Sequence, residues 1–473
     1  MGEGVLNRPG SGVPDPSAPR ADSPDSSSLP SPAAEGATPA PPGDLGRGFP
    51  RVQGELTCRG LSLGGLAQRF GTPLYVYDAQ GIAERIRRFQ EAFQGVELLL
   101  AYSVKANGNL AVLNRIGLAG AGADIVSAGE LERALKAGIP ASRMVFAGVG
   151  KTAQEMERAL EVGIHAFHVE SEEELDVLED VARRRGVRAP VGIRVNPDVE
   201  SPTPHHYTAT GHATSKFGIP VTRALELYGT APERPHLWFR GIDVHIGSQI
   251  VAVEPYLAAL DTVLEMVDRI RAGGVELEYL DLGGGFGVGY RGEAGLPLER
   301  LAAAVTDRLR ERGLRLILEP GRSIVGEAGV LLTRVLYRKE SGGKRFVITD
   351  AGMTELLRPS HYGGWHRVVP VVHDPEALEA TVDVVGPVCE SGDFLALDRP
   401  LAHPEPGDLL AVGTAGAYGF SMASNYNARC RPAEVLVENG RPLLIRRREE
   451  VDDLMRGEVI PPPTPPESGD DTP

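Results

Sequence analysis

Between residues 97 and 318, short apolar runs alternate with longer stretches whose apolar positions recur every three or four residues. Eight runs read as strands: Glu97–Val104, Ala123–Val126, Met144–Ala147, Ala166–Val169, Val191–Val195, Ile242–Ile246, Leu277–Leu282 and Leu314–Leu318. Unbroken apolar runs this short suit strands buried on both faces. Helix starts are marked between them. Thr152 with Glu155 precedes Met156, Ala159 and Leu160, and Ser127 with Glu130 precedes Leu131, Ala134 and Leu135. In each, a hydroxyl and an acid three residues apart can cap a first turn. Eight strands with seven intervening helices is the count of a (β/α)8 barrel; a doubly wound open sheet is the competing arrangement, because a count does not close a ring.

Beyond Val330 the texture changes. The runs Val330–Tyr337, Arg345–Thr349, Ala380–Val385, Leu409–Val412 and Ala433–Val437 are rich in β-branched residues and separated by Gly, Pro and Asp. They predict a mostly antiparallel β domain, barrel or sandwich, over 329–458. The barrel is assigned to 81–328, and residues 51–80 ahead of it are expected to add strands to the β domain. Residues 1–50, dominated by Pro, Ser, Ala and Gly, cannot bury enough apolar surface to fold and are expected to be disordered, as is the Pro-rich tail 459–473. The N-terminus has no apolar core of a signal peptide, and Asp15, Asp22, Asp25 and Glu35 are foreign to a transit peptide.

Acidic residues outnumber basic ones by 64 to 49, a net charge of −15 that repels nucleic acid and anionic membrane surfaces. No run approaches the roughly 18 apolar residues of a spanning helix. The three cysteines (Cys58, Cys389 and Cys430) are too few for a disulfide framework and form no CxxC pair. They point to a reducing, cytoplasmic compartment and to no metal site.

Function in such a barrel gathers where strands end. Lys105 follows the first strand in Ser103-Val104-Lys105-Ala106-Asn107. A lysine there either snorkels to the surface or lies in a partly desolvated mouth, its pKa lowered for Schiff-base chemistry; the strand context favours the second. Gly283-Gly284-Gly285-Phe286-Gly287, after the seventh strand, lacks full GxGxxG spacing and a P-loop lysine. It is either a tight turn or a place where backbone N–H groups meet an anion. Glu319 either pairs with Arg322 or lies against a pyridine ring, where a carboxylate keeps the ring nitrogen protonated. His245 is a satisfied core imidazole or a flat partner for a ring. Cys389, in Val388-Cys389-Glu390-Ser391-Gly392-Asp393, falls in a turn. Neighbouring carboxylates raise a thiol pKa, which suits a proton donor better than a nucleophile, but these residues leave its role open.

The segments YSVKAN, HIGSQ, GGGFG, EPGR, CESGD and GAYGF, in this order between about Thr72 and Met455, together resemble the fold-type III pyridoxal-phosphate decarboxylases, most closely the diaminopimelate decarboxylase family. The resemblance implies pyridoxal 5'-phosphate as cofactor and a homodimer with shared active sites. It implies that Lys105 carries the cofactor, that His245 stacks on its ring and that Glu319 pairs with its nitrogen. Ser248 with Gly283, Gly284, Gly285 and Gly287 would hold the phosphate, and Gly321, Arg322 and Tyr418 would line the cofactor. Arg322, Arg358, Tyr362 and Tyr418 would bind substrate. Cys389, as general acid, and Glu390, for a distal ammonium, would enter from the partner subunit. The reaction implied is decarboxylation of meso-2,6-diaminopimelate to L-lysine and CO2, the last step of lysine biosynthesis. The alternatives are decarboxylation of D-lysine, ornithine or arginine, a racemase on the same barrel, or a non-catalytic relative.

Overall fold

The computed structural model describes residues 45–46, 48–199, 215–402 and 404–463. Most of the two segments expected to be disordered lies outside these residues.

Eight parallel strands close into a ring: Leu98–Ser103, Gly122–Ile125, Met144–Phe146, Ala166–Val169, Ala189–Asn196, Leu237–Val244, Tyr279–Asp281 and Arg315–Leu318. Strands consecutive in this series pair side by side, and the last returns to the first with Leu316 opposite Leu98. The closed ring decides between barrel and open sheet. The sixth strand starts at Leu237, ahead of the expected Ile242: Arg240 and Gly241 break the apolar run without ending the strand, and Arg240 shares the outer face with Trp238. Thr152 and Glu155 form the expected capping box, each side chain taking the other's backbone N–H, an arrangement worth about 1 kcal/mol. Ser127 likewise accepts from the Glu130 N–H at 3.2 Å, but the Glu130 carboxylate turns to the Val126 N–H at 2.8 Å.

The long strand Gly329–Ser341 carries the second domain. Lys344–Thr349 runs antiparallel along its far half, and its near half lies between Leu74–Asp78 and Leu409–Val412. Leu74–Asp78 precedes the barrel in the chain, yet it sits inside this sheet, with Ala433–Glu438 parallel on its other side. Glu379–Val385 pairs in parallel with Lys344–Thr349, so the sheet is mostly, not wholly, antiparallel. Three strands of this domain are absent from the expected runs: Val368–Pro370, three residues long and ending in a proline, Phe394–Ala402 and Arg441–Arg446. Phe394–Ala402 is broken by Asp398, Arg399 and Pro400, and no residue of Arg441–Arg446 is fully buried.

The folded body begins earlier than residue 51. Phe49 is fully buried among Leu56, Cys58 and Leu63, with Leu45 packed against the same cluster. Among the described residues no helix is long and apolar enough to cross a membrane. Cys58 is buried, Cys389 exposed, and none of the three cysteines is paired.

Candidate active site

The strands deliver polar side chains to one rim of the barrel. Lys105 lies in a single 3-10 turn, Val104–Ala106, directly after the first strand. Its Nζ is 2.9 Å from Asp124 Oδ2, on the second strand, and that oxygen also accepts from Ser103 Oγ at 2.8 Å. The lysine side chain is 41% accessible while Asp124 is fully covered, which places the amine in an open mouth above a buried acid. The expected lowering of the Lys105 pKa is not what the site produces. Burial pulls it down, but Asp124, Tyr418 and Glu319 push harder, and the amine is held above the ordinary lysine range. The backbone of Tyr418 is anchored beside it: its N–H donates to Ala106 O at 2.8 Å and its φ is +55°, a left-handed conformation that bulky residues rarely adopt.

Below Lys105 the barrel floor is lined with acids. His168 Nδ1, on the fourth strand, lies 3.6, 3.7 and 3.8 Å from Asp243, near the end of the sixth strand, Asp281, which ends the seventh, and Glu319, which follows the eighth. All four side chains are buried, and among the described residues Glu319 Oε1, Asp281 Oδ2 and His168 Nδ1 have no hydrogen-bond partner. Burial and mutual repulsion hold Asp243 and Asp281 well above the usual carboxylate range. Glu319 is raised too, by burial, with Lys105 and Arg194 pulling it back. Burial beside Lys151 brings the His168 imidazole down to about 3, so it is neutral. The four groups also have the donor atoms of a divalent-cation site, where the sequence reading expects no metal.

The glycine loop packs tightly on this floor. A Cβ on Gly284 would lie 2.2 Å from Glu319 O, and Gly283, at φ +70°, leaves room for His245 Nδ1. The expectation that the whole loop offers free N–H groups needs correction. Gly283 donates to Asp281 Oδ1 at 2.8 Å, Gly284 to His245 Nδ1 at 3.0 Å and Gly287 to Ile250 O at 2.9 Å. The N–H groups of Gly285 and Phe286 have no internal acceptor among the described residues. His245, accepting at Nδ1, is held neutral by burial and by Arg194.

A second group adjoins the first through Tyr418. Arg322 lies with its guanidinium 4.9 Å over the Tyr418 ring and donates to Tyr290 Oη at 2.6 Å and to Ser248 Oγ at 3.2 Å. Arg358, which opens the short helix Arg358–Tyr362, lies 4.9 Å over the Tyr290 ring, and its Nη1 is 2.7 Å from His366 Nε2. Tyr362 ends that helix, half-buried. Lys105, His245, Ser248, the glycine loop, Glu319, Gly321, Arg322, Arg358 and Tyr418 thus form one connected set. Cys389 and Glu390 do not join it on the same chain. They lie exposed in a turn held by Asp393, which accepts from the Met353 and Val388 N–H groups, and Cys389 N–H donates to Asn427 Oδ1 at 3.0 Å. Asp124, His168, Asp243, Asp281, Tyr290 and His366 are functional-looking groups that the sequence reading gives no role. The signal for the first four is a polar residue inside or closing an apolar strand.

The rim fits pyridoxal phosphate: an accessible amine, an unpartnered buried carboxylate oxygen, two open backbone N–H groups and a guanidinium. Fold and site define a pyridoxal-dependent decarboxylase barrel, and residues 79–326 match the family model described as the pyridoxal-binding domain of pyridoxal-dependent decarboxylases. Over 408 residues the chain is 51% identical to a diaminopimelate decarboxylase of Pseudomonas aeruginosa, covering 86% of this chain and 98% of that one. It is also similar to the crystal structure of diaminopimelate decarboxylase from Helicobacter pylori complexed with L-lysine (TM-score 0.80, 42% identity, 83% and 98% of the two chains). The corresponding L-lysine complex from M. jannaschii matches at TM-score 0.83 and 35% identity, covering 88% and 99%. The chain belongs to the diaminopimelate decarboxylase family.

Proposed function

We propose that this protein uses pyridoxal 5'-phosphate to decarboxylate meso-2,6-diaminopimelate to L-lysine and CO2, in the cytoplasm, as a homodimer with shared active sites. One observation carries the substrate assignment. Two arginines buried to 8% exposure, Arg322 and Arg358, flank Tyr290, and neither pairs with a carboxylate among the described residues. Buried cations normally have counter-ions, and a carboxylate on the substrate would supply one. Ornithine, arginine and D-lysine have no second carboxylate to offer.

When bound, the cofactor supplies an aldehyde for the substrate amine and a protonated ring that accepts the electron pair left by departing CO2. Lys105 would hold it. Asp124 Oδ2 is the acceptor within reach for the proton that Lys105 must lose before its amine becomes nucleophilic. Glu319 Oε1 would accept from the ring nitrogen, beside Asp243 and Asp281, which burial and mutual repulsion hold well above the usual carboxylate range. His245 would lie against the ring, and Ser248 with the N–H groups of Gly285 and Phe286 would take the phosphate. Arg322, Arg358 and Tyr362 would bind the carboxylate that is retained, by charge-assisted hydrogen bonds. Cys389 and Glu390 of the partner subunit would supply the proton and bind the distal ammonium.

The test is to mix purified protein with the cofactor and meso-diaminopimelate and assay lysine and CO2. Release of CO2 from ornithine or D-lysine, with none from diaminopimelate, would overturn the substrate assignment.

A further inference from the structure

How Arg358 is held is unusual for a buried cation. His366 is fully buried, with Nδ1 2.9 Å from Gly413 O and Nε2 2.7 Å from Arg358 Nη1. A carbonyl only accepts, so Nδ1 carries the proton; a guanidinium only donates, so Nε2 offers its lone pair. Both partners therefore fix one tautomer of a neutral imidazole. Burial and the positive charges of Arg358, Arg322 and Arg399 all oppose its protonation. Beyond this bond, Arg358 meets the face of Tyr290, which in turn accepts from Arg322. The imidazole accepts one hydrogen bond from the arginine and the phenol presents its ring face, so the two orient it. Neither cancels its charge. A carboxylate at position 366 would hold Arg358 equally well and would neutralise it.

We propose that His366 is a specificity-determining positioning residue: a neutral acceptor that fixes the Arg358 guanidinium while leaving its full charge for the substrate's retained carboxylate. This rests on the reading above that Arg358 binds that carboxylate. A neutral imidazole separates two tasks that one acid would combine, orientation and neutralisation.

Three variants of the holoenzyme test it. His366→Gln keeps an acceptor for Arg358 and a donor for Gly413 O. His366→Leu removes both. His366→Glu keeps the acceptor and adds the negative charge. KM and kcat are measured with meso-diaminopimelate. Affinities for L-lysine, which has the retained carboxylate, and for cadaverine, the same chain without it, are measured by calorimetry. Cofactor absorbance and melting temperature report whether each variant is folded. The Leu and Glu variants should raise KM about tenfold or more and weaken L-lysine binding comparably, with kcat within about threefold and cadaverine affinity unchanged. The Gln variant should stay within about threefold of the parent in every value. The Gln–Glu comparison decides the case even where the Leu variant does not fold. If Glu binds L-lysine as tightly as Gln does while Arg358→Ala weakens it, the role of His366 is wrong and the reading of Arg358 stands. If Arg358→Ala leaves L-lysine affinity unchanged, that reading fails first and the proposal falls with it.

Discussion

Lys105 Nζ and Asp124 Oδ2 stand 2.9 Å apart, an exposed amine on a buried acid, and this pair sets the protonation state of the barrel mouth. The free amine is held above the ordinary lysine range, and a proton acceptor is already in contact with it. Lys105→Ala should abolish both turnover and the visible absorbance of protein-linked cofactor, as read by spectrophotometry after loading and desalting. Normal absorbance and rate in that variant would remove Lys105 from its assigned position.

Cys389 lies on an exposed turn away from Lys105 of its own chain, so its assignment depends on a partner. Cys389→Ala should keep the cofactor absorbance and lose about 10²-fold or more in kcat, the scale of a missing general acid. Mixing the inactive Lys105→Ala and Cys389→Ala chains under conditions of subunit exchange should restore about a quarter of wild-type activity. Half of the dimers are then hybrids, each with one intact site of two. No recovery despite demonstrated exchange would place the cysteine outside a shared site.

Gly284 sits where a methyl group has no space, 2.2 Å from the Glu319 carbonyl oxygen. Gly284→Ala must push the glycine loop off the eighth strand, at a cost of about 1–3 kcal/mol. Urea unfolding should show that loss, and cofactor affinity should fall with it, since the displaced loop includes the N–H groups of Gly285 and Phe286. An Ala variant with parental stability and affinity would show that the loop yields easily.

Glu130 offers a pH test. Burial pushes its carboxyl up to about 7, against the pull of the Val126 N–H. An unfolded Glu titrates near about 4.3. Between those values the native state binds more protons, so this group lowers stability as pH rises from about 4.3 to about 7, and its effect is constant above. Glu130→Gln keeps an oxygen for Val126 and removes the titration. Its stability relative to the parent should therefore rise across that window and then level off, as followed by unfolding at a series of pH values. A difference independent of pH would mean that Glu130 titrates normally.

The barrel was legible because its strands are buried on both faces, which leaves unbroken apolar runs such as Leu98–Tyr102, and because caps such as Thr152 with Glu155 punctuate the helices between them. Phe394–Ala402 was not, since a strand whose middle reads Asp398-Arg399-Pro400 carries no apolar period. The site shows the same division. Lys105, the glycine loop and Glu319 follow strands and can be named from order alone. Asp124 and His168 lie within strands, where one polar residue reads as an interruption until closure of the ring turns it inward to face the others. His366 leaves no periodic trace at all, because its meaning lies in two contacts, to Arg358 and to Gly413, that only tertiary structure brings together.

Leu74–Asp78 lies between strands that begin at Gly329 and at Ala433. A ribosome therefore releases it long before either neighbour exists, and the entire barrel is synthesised while both of its edges stand open. An unpaired strand as apolar as Leu74-Tyr75-Val76-Tyr77 invites pairing with a nascent neighbour. A fragment ending at residue 326 would keep that liability permanently, so the smallest stretch of this gene that should express as stable material runs through the last sheet strands.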